Sequence, residues 1–183
     1  MGDGRSSWFE QTVLPIFRDP TAEPPSPFMI VSTYLTADSV LIHPQVTDKG
    51  DVIRMLVSHL PGIDASHRDA IAQAVIEREE VMSTGVGNGI AIPHAKVELL
   101  DSPVVAFALL DQPVDFSSFD GRPVDLIFLV AGSVRANSLH LKMLSALSRL
   151  LIHQKTVDGL RSSKSPEDVL EQINQAELHV AQP

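Results

Sequence analysis

Cysteine is absent from the 183 residues. That excludes disulfides, thiolate metal sites and a cysteine nucleophile, and it suits a chain at work in a reducing cytoplasm. Aromatic residues make up only 5% of the chain, so aliphatic side chains have to fill any core. Basic residues are outnumbered, 14 Lys and Arg against 23 Asp and Glu, for a formal net charge of −9. Nucleic-acid affinity rests largely on Lys and Arg contacts to phosphate, so a nucleic-acid partner is not expected. A basic protein partner fits the charge better. Long apolar runs are also missing, so no segment is expected to span a bilayer. The opening M-G-D-G-R-S-S-W-F-E lacks the basic start and apolar run of a signal peptide.

What is present is enough hydrophobic residue, 44%, to bury a core within a single domain. Residues 1–30 read as an extended tail, because Pro15, Pro20, Pro24, Pro25 and Pro27 cluster there. Within it, Trp8 to Phe17 is apolar enough to dock, on its own domain or on a partner. Globular patterning then takes over. Val40-Leu41-Ile42 predicts a short strand, and residues 50–60 carry apolar positions at helical spacing. Asp64 is placed to cap a second helix running to about Met82. Ile90-Ala91-Ile92, Val104 to Leu110 and Val124 to Val130 read as strands, the last two covered on both faces. Asn137 is placed to cap a helix to about His153, and Ser165-Pro166 to open a last helix to about Gln175. Strands between helices predict a three-layer α/β/α sandwich with a central mixed β-sheet.

The chemistry concentrates in one stretch, E-R-E-E-V-M-S-T-G-V-G-N-G-I-A-I-P-H-A-K, residues 77–96. Glycines there let backbone N–H groups approach an anion, or let a tight loop enter a buried strand. A dinucleotide fingerprint would need glycine at position 90, where Ile90 stands, and no Gly-Lys-Ser/Thr follows. His94 follows a buried strand and Pro93, which fixes its own backbone angle, so the imidazole is rigidly aimed. Neutral imidazole is nucleophilic near pH 7. If a backbone carbonyl holds one ring N–H, the other nitrogen is free to take a phosphoryl group. His140 falls in the first turn of its helix, where free N–H groups favour an anion, or else it is a core histidine. Arg78 can neutralise phosphoryl oxygens with its planar fork, or pair with Glu77, Glu79 or Glu80 on the surface. The Thr84 hydroxyl can donate to the same anion or start the turn.

Together these residues resemble the IIA domains of the bacterial phosphotransferase system, type 2 (the fructose/mannitol class). The nitrogen-regulatory IIA proteins are the nearest branch. The resemblance rests on E-R-E-x-x-x-S-T-G-V-G-N-G-I-A-I-P-H-A-K, on D-F-S-S-F-D-G-R-P-V-D-L-I-F-L-V and on N-S-L-H-L-K-M-L-S-A-L-S-R-L-L. It spans residues 33–177, with tails at 1–30 and 178–183. It implies that His94 carries phosphate on its ε nitrogen and that His140 contacts the phosphoryl group. It also implies that Arg78 stands beside the site, with Thr84 and Gly85 in the loop against it. The donor would be an HPr-type carrier, whose basic surface suits an acidic partner. The acceptor would be a IIB domain or a regulated partner protein. Ala95 stands where many relatives have glycine.

The expected activity is that of a cytoplasmic phosphohistidine carrier using no cofactor and no metal. The unrelated alternative is a histidine metal site or a hydrolase. His94 and His140 supply two ligands where a catalytic zinc takes about three from protein. His43, His59, His67, His153 and His179 add none at ligand spacing, and G-x-S-x-G is absent.

Overall fold

A computed structural model describes residues 29–180. Most of the predicted tail, including Trp8 to Phe17, lies outside them, as do residues 181–183. The chain runs through β1 (Val40–Ile42), α1 (Lys49–Ser58), α2 (Ala65–Val81), β2 (Gly85–Gly87), β3 (Ile90–Ala91) and β4 (His94–Val97). It continues through β5 (Val104–Val114), β6 (Val124–Ser133), α3 (Asn137–Leu151), α4 (Gln154–Arg161) and α5 (Pro166–Val180).

The two long apolar runs pair with each other at the centre of a mixed sheet of order β1-β5-β6-β3-β2, with β4 also on β6. β5 and β6 are antiparallel, with Phe107 opposite Phe128 and their rings 4.8 Å apart. β3 and β4 both lie parallel to β6. Alternation along β6 divides the interior into two cores. Leu126, Phe128 and Val130 face α3, α4 and α5, while Ile127, Leu129 and Ala131 face α1 and α2. This is the α/β/α sandwich that the two-faced strands predict.

Several boundaries differ from the sequence reading, each for a local reason. Asp64 stands at the cap position of α2 but makes no capping bond; Asp48 instead caps α1, accepting from the Asp51 N–H at 2.9 Å. Ala136, not Asn137, precedes the first turn of α3. The helix predicted to reach His153 ends at Leu151, and α4 follows with Val157 and Leu160 buried on one face. β5 runs on to Val114 through Pro113, at a register shift where a missing ladder donor is tolerated. Ser165 opens α5 in a reciprocal box, with Ser165 Oγ accepting from the Asp168 N–H and Asp168 Oδ2 from the Ser165 N–H, both at 3.1 Å. That helix extends to Val180, so residues 178–180 are helical. Near its end, Glu177 accepts from the N–H of Val31 and from Ser32 Oγ, which ties the first described residues to α5.

The glycine loop is a hairpin of β2 on β3. Its tip is held from outside. The Asn88 N–H donates to Asp120 at 2.8 Å, and Arg161 Nη2 donates to the Asn88 carbonyl at 2.6 Å. Arg161 also grips both oxygens of Asp125 at 2.7 and 2.8 Å, the bidentate geometry for which a guanidinium is suited. Gly89 sits beneath this pair at φ +74, where a Cβ would come within 2.6 Å of Arg161 Nη2 and 2.7 Å of Asp125 Oδ1. Gly89→Ala should therefore lower the unfolding free energy by roughly 1–3 kcal/mol, from left-handed strain and displacement of Arg161. Equilibrium urea unfolding measures this, and an unchanged midpoint would mean the loop relaxes freely.

Candidate active site

His94 opens β4 directly after Pro93. The Val130 N–H donates to the Pro93 carbonyl at 3.0 Å, and His94 then lies opposite Val130 in the parallel ladder. The strand's first residue is thus clamped to the sheet's most buried strand. Its Nδ1 lies 2.8 Å from the Ile92 carbonyl. A carbonyl only accepts, so Nδ1 carries the proton and Nε2 is left with its lone pair free.

His140 comes from the opposite side, in the first turn of α3. Its ring is buried, with its centroid 5.7 Å from that of His94 and the planes tilted by 50°. The ring rests on Gly132 of β6. A Cβ there would come within 2.1 Å of His140 Nδ1, so only glycine leaves room for the imidazole. Nδ1 is buried without a hydrogen-bond partner. A proton placed there would have no acceptor, which assigns it to Nε2.

Both rings border a cleft of about 580 Å³, shared with Arg78, Lys96, Asn137 and Leu141. Arg78 is half-buried in the last turn of α2 and donates to the Met82 carbonyl at 2.9 Å, a favourable place for a cation. Lys96 projects on the same face of β4 as His94, and its Nζ donates to Asn137 Oδ1 at 3.0 Å. Val81 and Leu141 at the cleft are 82% and 58% exposed, so the mouth offers apolar surface beside the cations. Burial holds His94 below the ordinary histidine range. The Ile92 hydrogen bond works against that, while the positive field of Arg78 adds to it and Glu79 opposes it. His140 is pushed down to about 4, by burial first and then by the fields of His94 and Lys96. Both rings are therefore neutral at pH 7.

Of the five residues singled out in the sequence, His94, His140 and Arg78 meet in the cleft. Thr84 and Gly85 do not line it. The Thr84 hydroxyl and N–H donate to the buried carboxylate of Glu79, at 2.5 and 3.0 Å to Oε2. The Gly85 N–H donates to Ser83 Oγ at 3.0 Å, and its Cα faces Ser118. These donors are consumed inside the loop. Sequence reasoning missed Lys96, Asn137 as its partner, Glu79 as a buried clamp and Gly132 as the seat of His140. Lys96 had a signal, since it stands two residues from His94 in a strand and shares its face. Glu79 and Gly132 had none, because their roles depend on contacts distant in sequence or hidden in a helix of acidic neighbours. Among the described residues, no three His, Asp or Glu side chains converge as metal ligands.

The low value at His140 has a consequence for stability. Between its ordinary 6.5 and about 4, the folded chain binds fewer protons at this ring than the unfolded chain does. Stability is then lost as pH falls through that window. Wild type should lose stability more steeply than His140→Gln between pH 6.5 and 4, measured by urea unfolding at several pH values. Carboxylate titrations common to both chains cancel in the difference, and parallel curves would refute the assigned burial of a neutral ring.

Comparison with known proteins identifies the family. Residues 33–176 match the family described as phosphoenolpyruvate-dependent sugar phosphotransferase system, EIIA 2. A nitrogen regulatory protein of Bradyrhizobium diazoefficiens is 33% identical over 141 residues, covering 77% of this chain and 92% of that protein. The fructose-specific EIIABC component of Bacillus subtilis is 35% identical over 148 residues, 80% of this chain but 23% of that protein, so the chain spans under a quarter of this relative. In structure, the nitrogen regulatory protein IIA-Ntr of Neisseria meningitidis superposes with a TM-score of 0.73 at 24% identity, covering 79% of this chain and 99% of that one, a likeness of fold. The chain belongs to the type 2 EIIA family of the phosphoenolpyruvate-dependent phosphotransferase system.

Proposed function

We propose that His94 Nε2 accepts a phosphoryl group from the phosphohistidine of an HPr-type carrier and holds it for a second protein. The observation that carries this is the His94 imidazole itself. It is neutral, with Nδ1 occupied by the Ile92 carbonyl and Nε2 left toward a cleft that holds a second histidine and two cations. In the transfer, the N–P bond of the donor breaks as the Nε2–P bond forms, along one line. Such a step asks the protein for positioning and for charge on the phosphoryl oxygens rather than for covalent chemistry. Arg78 supplies charge, and the Nε2–H of His140 supplies a donor that needs no ionisation. Thr84 and Gly85 enter through the loop they close with Glu79 and Ser83, which keeps the α2 side of the cleft in place. The phosphoramidate stays reactive, whereas a Ser or Thr ester would trap the group.

The formal charge of −9 favours a basic carrier as donor. Among the described residues no helix is long and apolar enough to cross a membrane, and we place the reaction in the cytoplasm. Regulatory use of the phosphorylated state is favoured by the match to nearly the full length of a nitrogen regulatory protein. Donation to a IIB domain of a fructose-type permease is the second reading, favoured by the EIIABC relative.

Incubation with phosphoenolpyruvate, enzyme I and HPr-type carrier should place acid-labile phosphate on the wild type and none on His94→Ala. His140→Ala should still fold and should pass phosphate onward about 10²-fold more slowly. Absence of label with an active carrier would refute the carrier reading, and full-speed transfer in His140→Ala would refute the role of that ring.

A further inference from the structure

Lys96 holds a position that the phosphoryl-transfer reading does not explain. In β4 the buried side chains are Ala95 and Val97, so His94 and Lys96 share the other face. The ladder places Lys96 opposite Gly132 of β6, and Gly132 is the residue on which the His140 ring rests. Lys96 therefore lines the same cleft as both histidines. Its positive field is one of the causes that lower His140. It is also anchored, with Nζ donating to Asn137 Oδ1 across 41 positions of sequence. Asn137 is the first residue of α3, the helix that delivers His140.

That anchor is a cation held by a neutral acceptor at an exposed position. A phosphoryl group on His94 would add three anionic acceptor oxygens within the same cleft. An ammonium bonded to such an oxygen faces an opposite charge, where the Asn137 amide offers only a dipole, so the phosphoryl oxygen is the stronger acceptor. A lysine ammonium on a flexible stem can change partners without disturbing the backbone.

Resting on the phosphocarrier reading, we propose that Lys96 is a further phosphoryl-binding residue that exchanges Asn137 for the phosphoryl oxygens when His94 is phosphorylated. The amide of Asn137 is then released at the start of α3, beside the exposed Leu141 and Val134. A protein partner that contacts this rim meets a different hydrogen-bonding surface in each state. The covalent event at one ring is thus displayed on the surface of a neighbouring helix.

The test uses the full chain with ¹⁵N labelling, before and after phosphorylation by the HPr-type carrier. Phosphorylation of wild type should shift the Asn137 side-chain amide. Lys96→Met should show the released Asn137 signal beforehand, with little further change. Its phosphorylated fraction at equilibrium with the carrier should fall about tenfold, and Lys96→Arg should recover most of that loss. Lys96→Met should also raise the titration midpoint of His140, a readout that needs no phosphate. A label of wild-type extent on Lys96→Met, or an Asn137 amide unmoved by phosphorylation of wild type, would overturn this proposal alone. No label on wild type would overturn the carrier reading and this proposal with it.

Discussion

Hydrogen bonding along both edges of β6 is the constraint from which the rest of the molecule follows. One edge takes β5 antiparallel. The other takes β3 and then β4, end to end and both parallel, with Ile92 and Pro93 between them. A side chain in a strand alternates faces with a period of two, so a slip of one residue would turn His94 into the layer of α1 and α2. The slip is resisted because Ala95 and Val97 are buried in that layer. It is resisted again at the Pro93 carbonyl, which accepts from Val130. Register on β6 also brings Gly132 opposite Lys96, which sets the seat of His140. His94, Lys96 and the seat of His140 are thus placed by one ladder.

The electrostatics of the cleft follow from that placement. Two imidazoles with centroids 5.7 Å apart are partly removed from water and share their cleft with two cations, Arg78 and Lys96, and one carboxylate, Glu77. Burial and the cations disfavour imidazolium and outweigh the Ile92 hydrogen bond and Glu79, so the pair stays neutral where an exposed histidine would begin to charge. Neutrality is what a phosphoryl acceptor needs, because its attacking lone pair must be unprotonated. In the transfer we propose, the same cations that suppress the proton would hold the phosphoryl oxygens. The nearest buried carboxylate, Glu79, is turned away onto Thr84. A strongly acidic chain therefore presents a locally basic cleft with apolar residues at its mouth.

The glycine loop takes the second of the two readings open to its sequence, a tight turn leading into a buried strand. Gly87, Asn88 and Gly89 do adopt positive φ, as a turn of this composition implies. What approaches Gly87 and Gly89 closely is the molecule itself, through Phe119, Asp120, Asp125 and Arg161. Glycine records that something comes near the backbone and is silent on what it is. The short helix α4 was hidden for a related reason. Its few buried residues, Thr156, Val157 and Leu160, give a helical stripe too brief to stand out, and its role rests on Arg161 reaching a hairpin far away in sequence.

By itself the sequence determined the layered architecture, since Val104 to Leu110 and Val124 to Val130 are apolar on both faces and demand helices above and below. It also singled out His94, His140 and Arg78, through residue type, strand-end position and family likeness, and the fold brings these three to one cleft. These are local properties, carried by periodicity and by neighbours in the chain. Only the tertiary structure decided what holds the His94 ring, what clamps the loop and which further cation shares the cleft. Lys96 meets Asn137 across 41 positions, a distance that a one-dimensional pattern does not encode, while the Ile92 and Glu79 contacts are close in the chain but depend on backbone angles and side-chain rotamers that residue type alone does not specify.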